Sequence, residues 1–270
     1  MRLINLRPNR GGRVLLACLP FVLLVLAYLI GSAVRLADNP NDKLLPSLST
    51  LAQSIDALAF TPDKRTGDYI LWSDTAASLW RLALGLGISA LLALTLGLLT
   101  GILPVMRALL SPFVAVVSMV PPLALLPVLF IVLGLGEVSK VALIVIGVAP
   151  ILIRDLTLTA MALPREMIVK AETLSASSWL IAVRVVLPQV LPRLIDSLRL
   201  QLGAAFLFLI AAEAISADSG LGYRIFLVRR YLSMDVIFPY VAWITLLAVI
   251  MDLALALLRR RLFPWAEMGR

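Results

Sequence analysis

None of the 270 residues is histidine, and cysteine occurs once, at Cys18. The commonest general base and metal ligand is therefore missing, and one chain cannot build a disulfide framework or a thiolate cluster. Gly134-Leu-Gly-Glu-Val-Ser-Lys140 has the wrong spacing for a Walker A loop, and no strand precedes it. The sequence thus offers no catalytic residue, metal site or cofactor site. What it offers is a polar, basic segment, Pro164 to Pro192, reading PREMIVKAETLSASSWLIAVRVVLPQVLP between long apolar runs. Pro164 suits the first turn of a helix. Met167, Ala171 and Leu174 follow on one face, with Glu166, Lys170 and Ser177 mostly elsewhere. Pro188 and Pro192 are expected to end a second short helix that begins near Trp179. Such an element between two membrane spans is expected to dock a soluble partner; the bland alternative is a helix resting on anionic lipid.

The elements that hold this segment are apolar. Hydrophobic residues make up 61% of the chain and the mean hydropathy is +1.01, which excludes an ordinary soluble domain. About 20 apolar residues cross a bilayer as a helix, so an all-α integral membrane protein with about six transmembrane helices is expected. The first span, about Val14 to Val34, follows Arg2, Arg7, Arg10 and Arg13. It is longer than a signal core, lacks a clear small-residue cleavage site, and reads as a retained span that starts inside. Ser47 to Phe60 has helical spacing and reads as a surface helix. Ser73 or Asp74 is expected to cap the next span, Leu82 to Ile102, in which Gly97 and Gly101 form a small-xxx-small packing pair. Pro104, Arg107 and Pro112 read as a short inner loop, and Phe113 to Leu133 as span three. Within that span Pro121-Pro122 kink or break the helix and read either as marking a pathway or gate or as a purely structural kink. Gly134 to Lys140 reads as an outer loop. Spans four, five and six are placed at Val141 to Leu158, Ile195 to Ile215 and Val236 to Leu258, with a loop from Ser216 to Asp235.

The net charge of +8 comes from basic residues beside the spans, which fits topology better than nucleic-acid binding. Arg2, Arg7, Arg10, Arg13, Arg107, Arg154 and Arg259-Arg260-Arg261 fall inside and, with others, outnumber outer residues such as Lys43, Lys64, Arg65 and Lys140. Both termini and the polar segment are therefore expected in the cytoplasm. Charges at membrane depth are costly and often functional. Glu213 reads either as lining the pathway, where it would suit a cationic solute, or as bracing a loop. Arg154-Asp155 reads as an adjacent pair, and Asp252 as structural, with Arg259 as its partner.

The polar segment resembles the coupling loop of ABC-type importer permeases, whose pattern runs E-A-A, three residues, G, nine residues, I-x-L-P. Val169, Lys170 and Ala171 stand at the E-A-A positions, Ser175 at the glycine, and Leu187-Pro188 at the end. The acidic residue of the pattern is absent, although Glu166 and Glu172 lie nearby. Pro121-Pro-Leu-Ala-Leu-Leu-Pro127, Gly134 to Lys140, Ala212-Glu213, Ser219-Gly-Leu-Gly-Tyr223 and Leu262-Phe-Pro-Trp265 are similar to the nitrate/sulfonate/taurine branch. Tyr223 through Asp235 looks most like permeases of urea or guanidine systems.

The resemblance implies a type I importer permease fold. A domain of residues 1–72 (a transmembrane helix plus a periplasmic amphipathic segment) would precede a permease core at 73–264 containing a coupling loop at 160–193, and a cytoplasmic tail at 265–270. It further implies two ATPase subunits, a second permease copy, a periplasmic binding protein, surrounding lipid, and a bacterial inner-membrane location. Glu166, Lys170, Ala171, Glu172, Ser175, Ala176, Trp179, Leu187 and Pro188 would meet the ATPase. Two rival classes are a secondary transporter, against which stands the lack of a clear repeat between the halves, and an intramembrane enzyme, for which no catalytic grouping speaks.

Overall fold

An apolar chain in lipid must bond every backbone amide to itself, and helices do so locally. The computed structural model follows this rule. It describes residues 9–39, 42–64 and 67–267, all of the regular structure among them being helical. Arg2, Arg7, Arg65 and tail residues 268–270 lie outside the described residues.

Helix α1 (Arg10–Asp38) starts at Asn9, whose side chain accepts from the Gly12 amide at 2.7 Å. The apolar stretch of α1 leaves its side chains unburied by the rest of the chain. It is tethered only near its end. There the Tyr28 hydroxyl donates to the Pro46 carbonyl at 2.6 Å, and the Tyr28 ring meets Phe238 edge-on. Beyond it the Arg35 guanidinium holds the Asp42 carboxyl below its ordinary range. Helix α2 (Leu48–Ala59) is capped by Ser47, and Ser54 bonds Asp235 at 2.8 Å.

The core is built by α3 (Ile70–Ile102), α6 (Glu137–Met161) and α9 (Leu187–Ser216), around fully buried Leu82, Leu143, Ile144, Leu152, Leu156 and Leu209. Between α3 and α6 come α4 (Pro104–Val117), a tight turn at Pro122–Leu125 and α5 (Leu126–Leu133). After α6 follow α7 (Arg165–Thr173) and α8 (Ser178–Ile181); after α9, α10 (Leu221–Arg229) and α11 (Met234–Leu262). Five described helical stretches are long and apolar enough to cross a membrane. A sixth span exists if the bent pair Pro104–Val117 and Pro122–Leu133, which meet at 82°, is counted as one.

Several expectations are corrected. Span three is not one rod: Pro121 and Pro122 supply no amide for the ladder, so α4 stops at Val117 and the chain turns. Pro104, Arg107 and Pro112 belong to α4 rather than to a loop; Pro104 sits in its first turn, where no intrahelical donor is needed. The loop before α6 ends at Gly136, so Glu137 to Lys140 form the first turn of that helix. Helix α3 starts at Ile70, and Asp74 is a buried helix residue instead of a cap. The expected loop from Ser216 to Asp235 contains α10. Pro188 and Pro192 end nothing. A π turn at Ala182–Val186, closed by the Leu187 amide donating to the Ala182 carbonyl five residues back, opens the helix just ahead of Pro188, and the rod runs from Ser178 to Ser216.

Gly97 and Gly101 lie where α3 crosses α6. A Cβ on Gly97 would stand 2.9 Å from the Leu156 Cβ, and one on Gly101 would stand 2.5 Å from the Ala160 Cβ. Gly85, against Ile144, extends the same close approach toward the start of α6, and Gly147 lets α6 approach Phe208 of α9. Substituting Gly101→Val should destabilise the chain by about 1–3 kcal/mol through overpacking. Gly87→Ala, where nothing lies within 4 Å, should be neutral or gain up to ~1 kcal/mol of helix propensity. Thermal unfolding of both variants in one detergent separates the two cases.

Candidate functional site

The Pro164–Pro192 segment is carried by the two central helices α6 and α9, which it joins. Helix α7 packs Ile168 and Ala171 inward against the core, while Glu166, Lys170 and Glu172 face outward. It ends in a turn whose bonds are all present. The Ser175 amide donates to the Glu172 carbonyl at 2.9 Å and the Ala176 amide to the Ala171 carbonyl at 3.0 Å, with Ser175 at φ = +59°. This is the Schellman arrangement, and its left-handed position favours glycine. The coupling pattern named above has glycine at that place, and Ser175 takes the same backbone conformation here.

Ser177 then caps α8 by accepting from the Leu180 amide at 3.3 Å. The turn throws two large apolar side chains outward, Leu174 at 83% and Trp179 at 77% exposure. Leu174 was expected on one face with Met167 and Ala171. As the residue that closes α7 it leaves the helix and points away, whereas Met167 and Ala171 stay half-buried. Ala176, Leu187 and Pro188 are also half-buried, so the exposed surface is made by Glu166, Val169, Lys170, Glu172, Leu174, Ser175 and Trp179.

The opposite end of the bundle holds a buried ionic network. The Arg81 guanidinium donates to Glu137 at 2.5 and 2.9 Å, to Glu213 at 2.6 Å and to the Ser219 carbonyl at 2.7 Å. Lys140 donates to Glu137 at 2.9 Å. Ser78 donates to Glu213 at 2.8 Å and itself accepts from the Leu221 amide at 2.8 Å. Gly220 and Gly222 donate their amides to Asp74 and Glu213 at 3.0 and 2.9 Å. Gly220 has φ = +131°, and a Cβ there would fall 2.6 Å from the Glu213 carboxylate, so both conformation and space require glycine. Asp74 also takes Arg224 at 2.9 Å and the Tyr240 hydroxyl at 3.0 Å.

Glu213 is 0% exposed and its oxygens are occupied by this network. In this structure its carboxylate braces the loop before α10. Pro121 and Pro122 stand at the 82° break, Pro121 exposed and Pro122 half-buried.

The expected charge pairs are redrawn. Asp155 turns to α9 and takes Arg193 at 2.7 Å, together with the Ser197 hydroxyl, instead of Arg154. Arg154 donates to Ser118 at 2.8 Å. Asp252 takes Arg199 at 2.8 Å, while Arg259 lies 3.3 Å from Asp196. Adjacent helix residues diverge by roughly 100°, so Arg154 and Asp155 address different neighbours. Sequence reading missed Arg81 as the centre of the network. Its place in the first turns of an otherwise apolar span was the available signal.

The binding-protein-dependent transport system inner membrane component family matches residues 70–264. The chain is 36% identical over 199 residues to the taurine transport system permease protein TauC of Escherichia coli (strain K12), covering 73% of this chain and 72% of TauC. It is 30% identical over 196 residues to the putative aliphatic sulfonates transport permease protein SsuC of Bacillus subtilis (strain 168), covering 72% of this chain and 71% of that protein. A solved structure of the MetNI methionine ABC transporter, in an inward-facing conformation, shares the fold with a TM-score of 0.59 at 18% identity, over 71% of this chain and 96% of that one.

Removing Arg81 as Arg81→Met strands the buried Glu213 carboxylate, whereas Glu137 is exposed and keeps Lys140, and should cost about 3–5 kcal/mol. Glu213→Gln keeps most of the hydrogen bonds and should cost less; thermal unfolding in detergent ranks the pair. Ser175→Gly should stabilise the chain by about 1 kcal/mol by relieving the left-handed conformation, and Ser175→Val should do the reverse.

Proposed function

Since the chain belongs to the family of binding-protein-dependent transport system inner membrane components, a multi-pass permease subunit of an ABC importer, we propose that it passes a small sulfonate-like anion inward under the drive of separate ATPases. Support for the solute class comes from TauC and SsuC, whose names specify taurine and aliphatic sulfonates. Neither name supports the urea or guanidine branch. Glu213 is already neutralised by Arg81, so it offers no free charge for a cation.

The observation that carries the coupling role is the outward presentation of Leu174 and Trp179 on a turn fixed between α6 and α9. Large apolar groups beside charged ones form the usual centre of a protein–protein contact. In this reading Glu166, Lys170, Glu172, Ser175 and Trp179 meet the ATPase, while Ala171, Ala176, Leu187 and Pro188 transmit its movement to α9. Two ATPases serve two permease copies. Both termini and the α7–α8 segment lie in the cytoplasm, the Arg81 network faces the periplasm, and a binding protein delivers the solute there. The break at Pro121-Pro122 lies along the pathway. Residues 1–72 form an accessory span and surface helix, with the permease core at 73–264.

The test is reconstitution with the ATPase subunits. Leu174→Asp with Trp179→Ala should abolish ATPase copurification and reduce ATP-driven uptake at least tenfold, about 1.4 kcal/mol or more of lost contact, while the thermal midpoint of the permease alone stays near wild type. Unchanged uptake would overturn the coupling assignment. Binding of taurine, alkanesulfonates, nitrate, urea and guanidine to the partner binding protein decides the solute class.

A further inference from the structure

The end of the bundle that carries α7 holds a cavity of ≈ 340 Å³ between α3, α4 and α6, lined among others by Thr100, Arg107, Ser111, Arg154 and Thr157. Its charge is one-sided. Among the described residues, neither Arg107 nor Arg154 takes part in a salt bridge, whereas Arg81, Arg193, Arg199, Arg224 and Arg259 each do. The carboxylate nearest in sequence, Asp155, is turned to α9 and held by Arg193.

The two guanidiniums are also short of acceptors. Arg107 donates to the carbonyls of Thr100 and Gly101 at 3.0 and 2.5 Å, at the C-terminus of α3, which fixes its stem and leaves three of its five N–H groups. Arg154 donates once, to the Ser118 hydroxyl at 2.8 Å, leaving four. Ser111 adds a hydroxyl to a wall otherwise made by Val114, Ala115, Ile153, Leu158 and Met161, while the Thr100 and Thr157 hydroxyls bond each other and backbone carbonyls. Arg107 is half-buried and Arg154 exposed, so an anion entering the cavity can meet both guanidiniums, whose planar donor forks match oxyanion geometry.

We propose that this cavity is an oxyanion site in which Arg107 and Arg154 together bind a sulfonate, sulfate or phosphate group, bridging α4 to α6. The group has two sources: a free anion, which would be the transported solute on the reading above, or the phosphate of an anionic lipid headgroup. Binding itself does not depend on that reading, because it is measured without ATP or partner proteins.

The full chain is placed in nanodiscs of phosphatidylcholine, with or without phosphatidylglycerol. Radiolabelled sulfate and methanesulfonate retention is measured, and bound lipid is read by native mass spectrometry. Saturable sulfate or methanesulfonate binding in phosphatidylcholine alone, weakened about tenfold or more by R107Q/R154Q and only partly restored in R107K/R154K, which keeps the charge but not the donor fork, supports the site with a free anion. Retention of phosphatidylglycerol that R107Q/R154Q removes, with no free-anion binding, supports it with a headgroup. Should R107Q/R154Q not fold, R154Q alone, which gives up one bond to Ser118, supplies the comparison. Anion and lipid retention that are absent, or equal in wild type and Gln variants, overturn the proposal.

Discussion

The Arg81 guanidinium is the interaction on which the arrangement of the helices depends. It rises from α3 and reaches Glu137 at the start of α6, Glu213 near the end of α9 and the Ser219 carbonyl before α10. Buried at 4% exposure, it has no water to fall back on, so each of these groups must stay in place for the others to be satisfied. Asp74 repeats the device about two turns earlier in α3, collecting Gly220, Arg224 and Tyr240. Three central helices and the short helix α10 are thereby clamped at one end.

The other end is built differently. There α3 and α6 meet through glycine and alanine, by close approach rather than by charge. Of the ion pairs there, Asp155 with Arg193 and Asp252 with Arg199 are partly exposed and so weaker constraints, and the more buried Arg259 with Asp196 ties α11 to α9 rather than α3 to α6. The segment proposed to receive force is attached here, directly to α6 and α9. A bundle in which α3 and α6 are clamped by buried charge at one end and meet by close packing at the other suits tilting of helices about the clamped end, the kind of motion that alternating access requires.

Departures from regular helix have local causes. Pro121-Pro122 divides the third crossing because two successive residues cannot donate. The π turn at Ala182–Val186 admits Pro188 without ending the helix. Ser175 accepts a left-handed conformation because the Schellman bonds and the inward packing of Ala171 and Ala176 hold the turn.

The sequence by itself determined the class of the molecule. Apolar runs of bilayer length leave only helices, and the spacing from Ser175 to Leu187-Pro188 marked the one polar element between spans, because both signals are local in the chain. Gly97 and Gly101 were legible for the same reason: small residues four apart share a helix face. Tertiary structure alone decided which charges meet. Arg81 and Glu213 are 132 positions apart and meet only because separate helices pack together, and Asp155 chose Arg193 over its neighbour Arg154 because the helix turns adjacent side chains toward different partners. Whether a proline ends a helix was equally a matter of three dimensions, since Pro188 is accommodated by a widened turn that no pattern of hydrophobicity encodes.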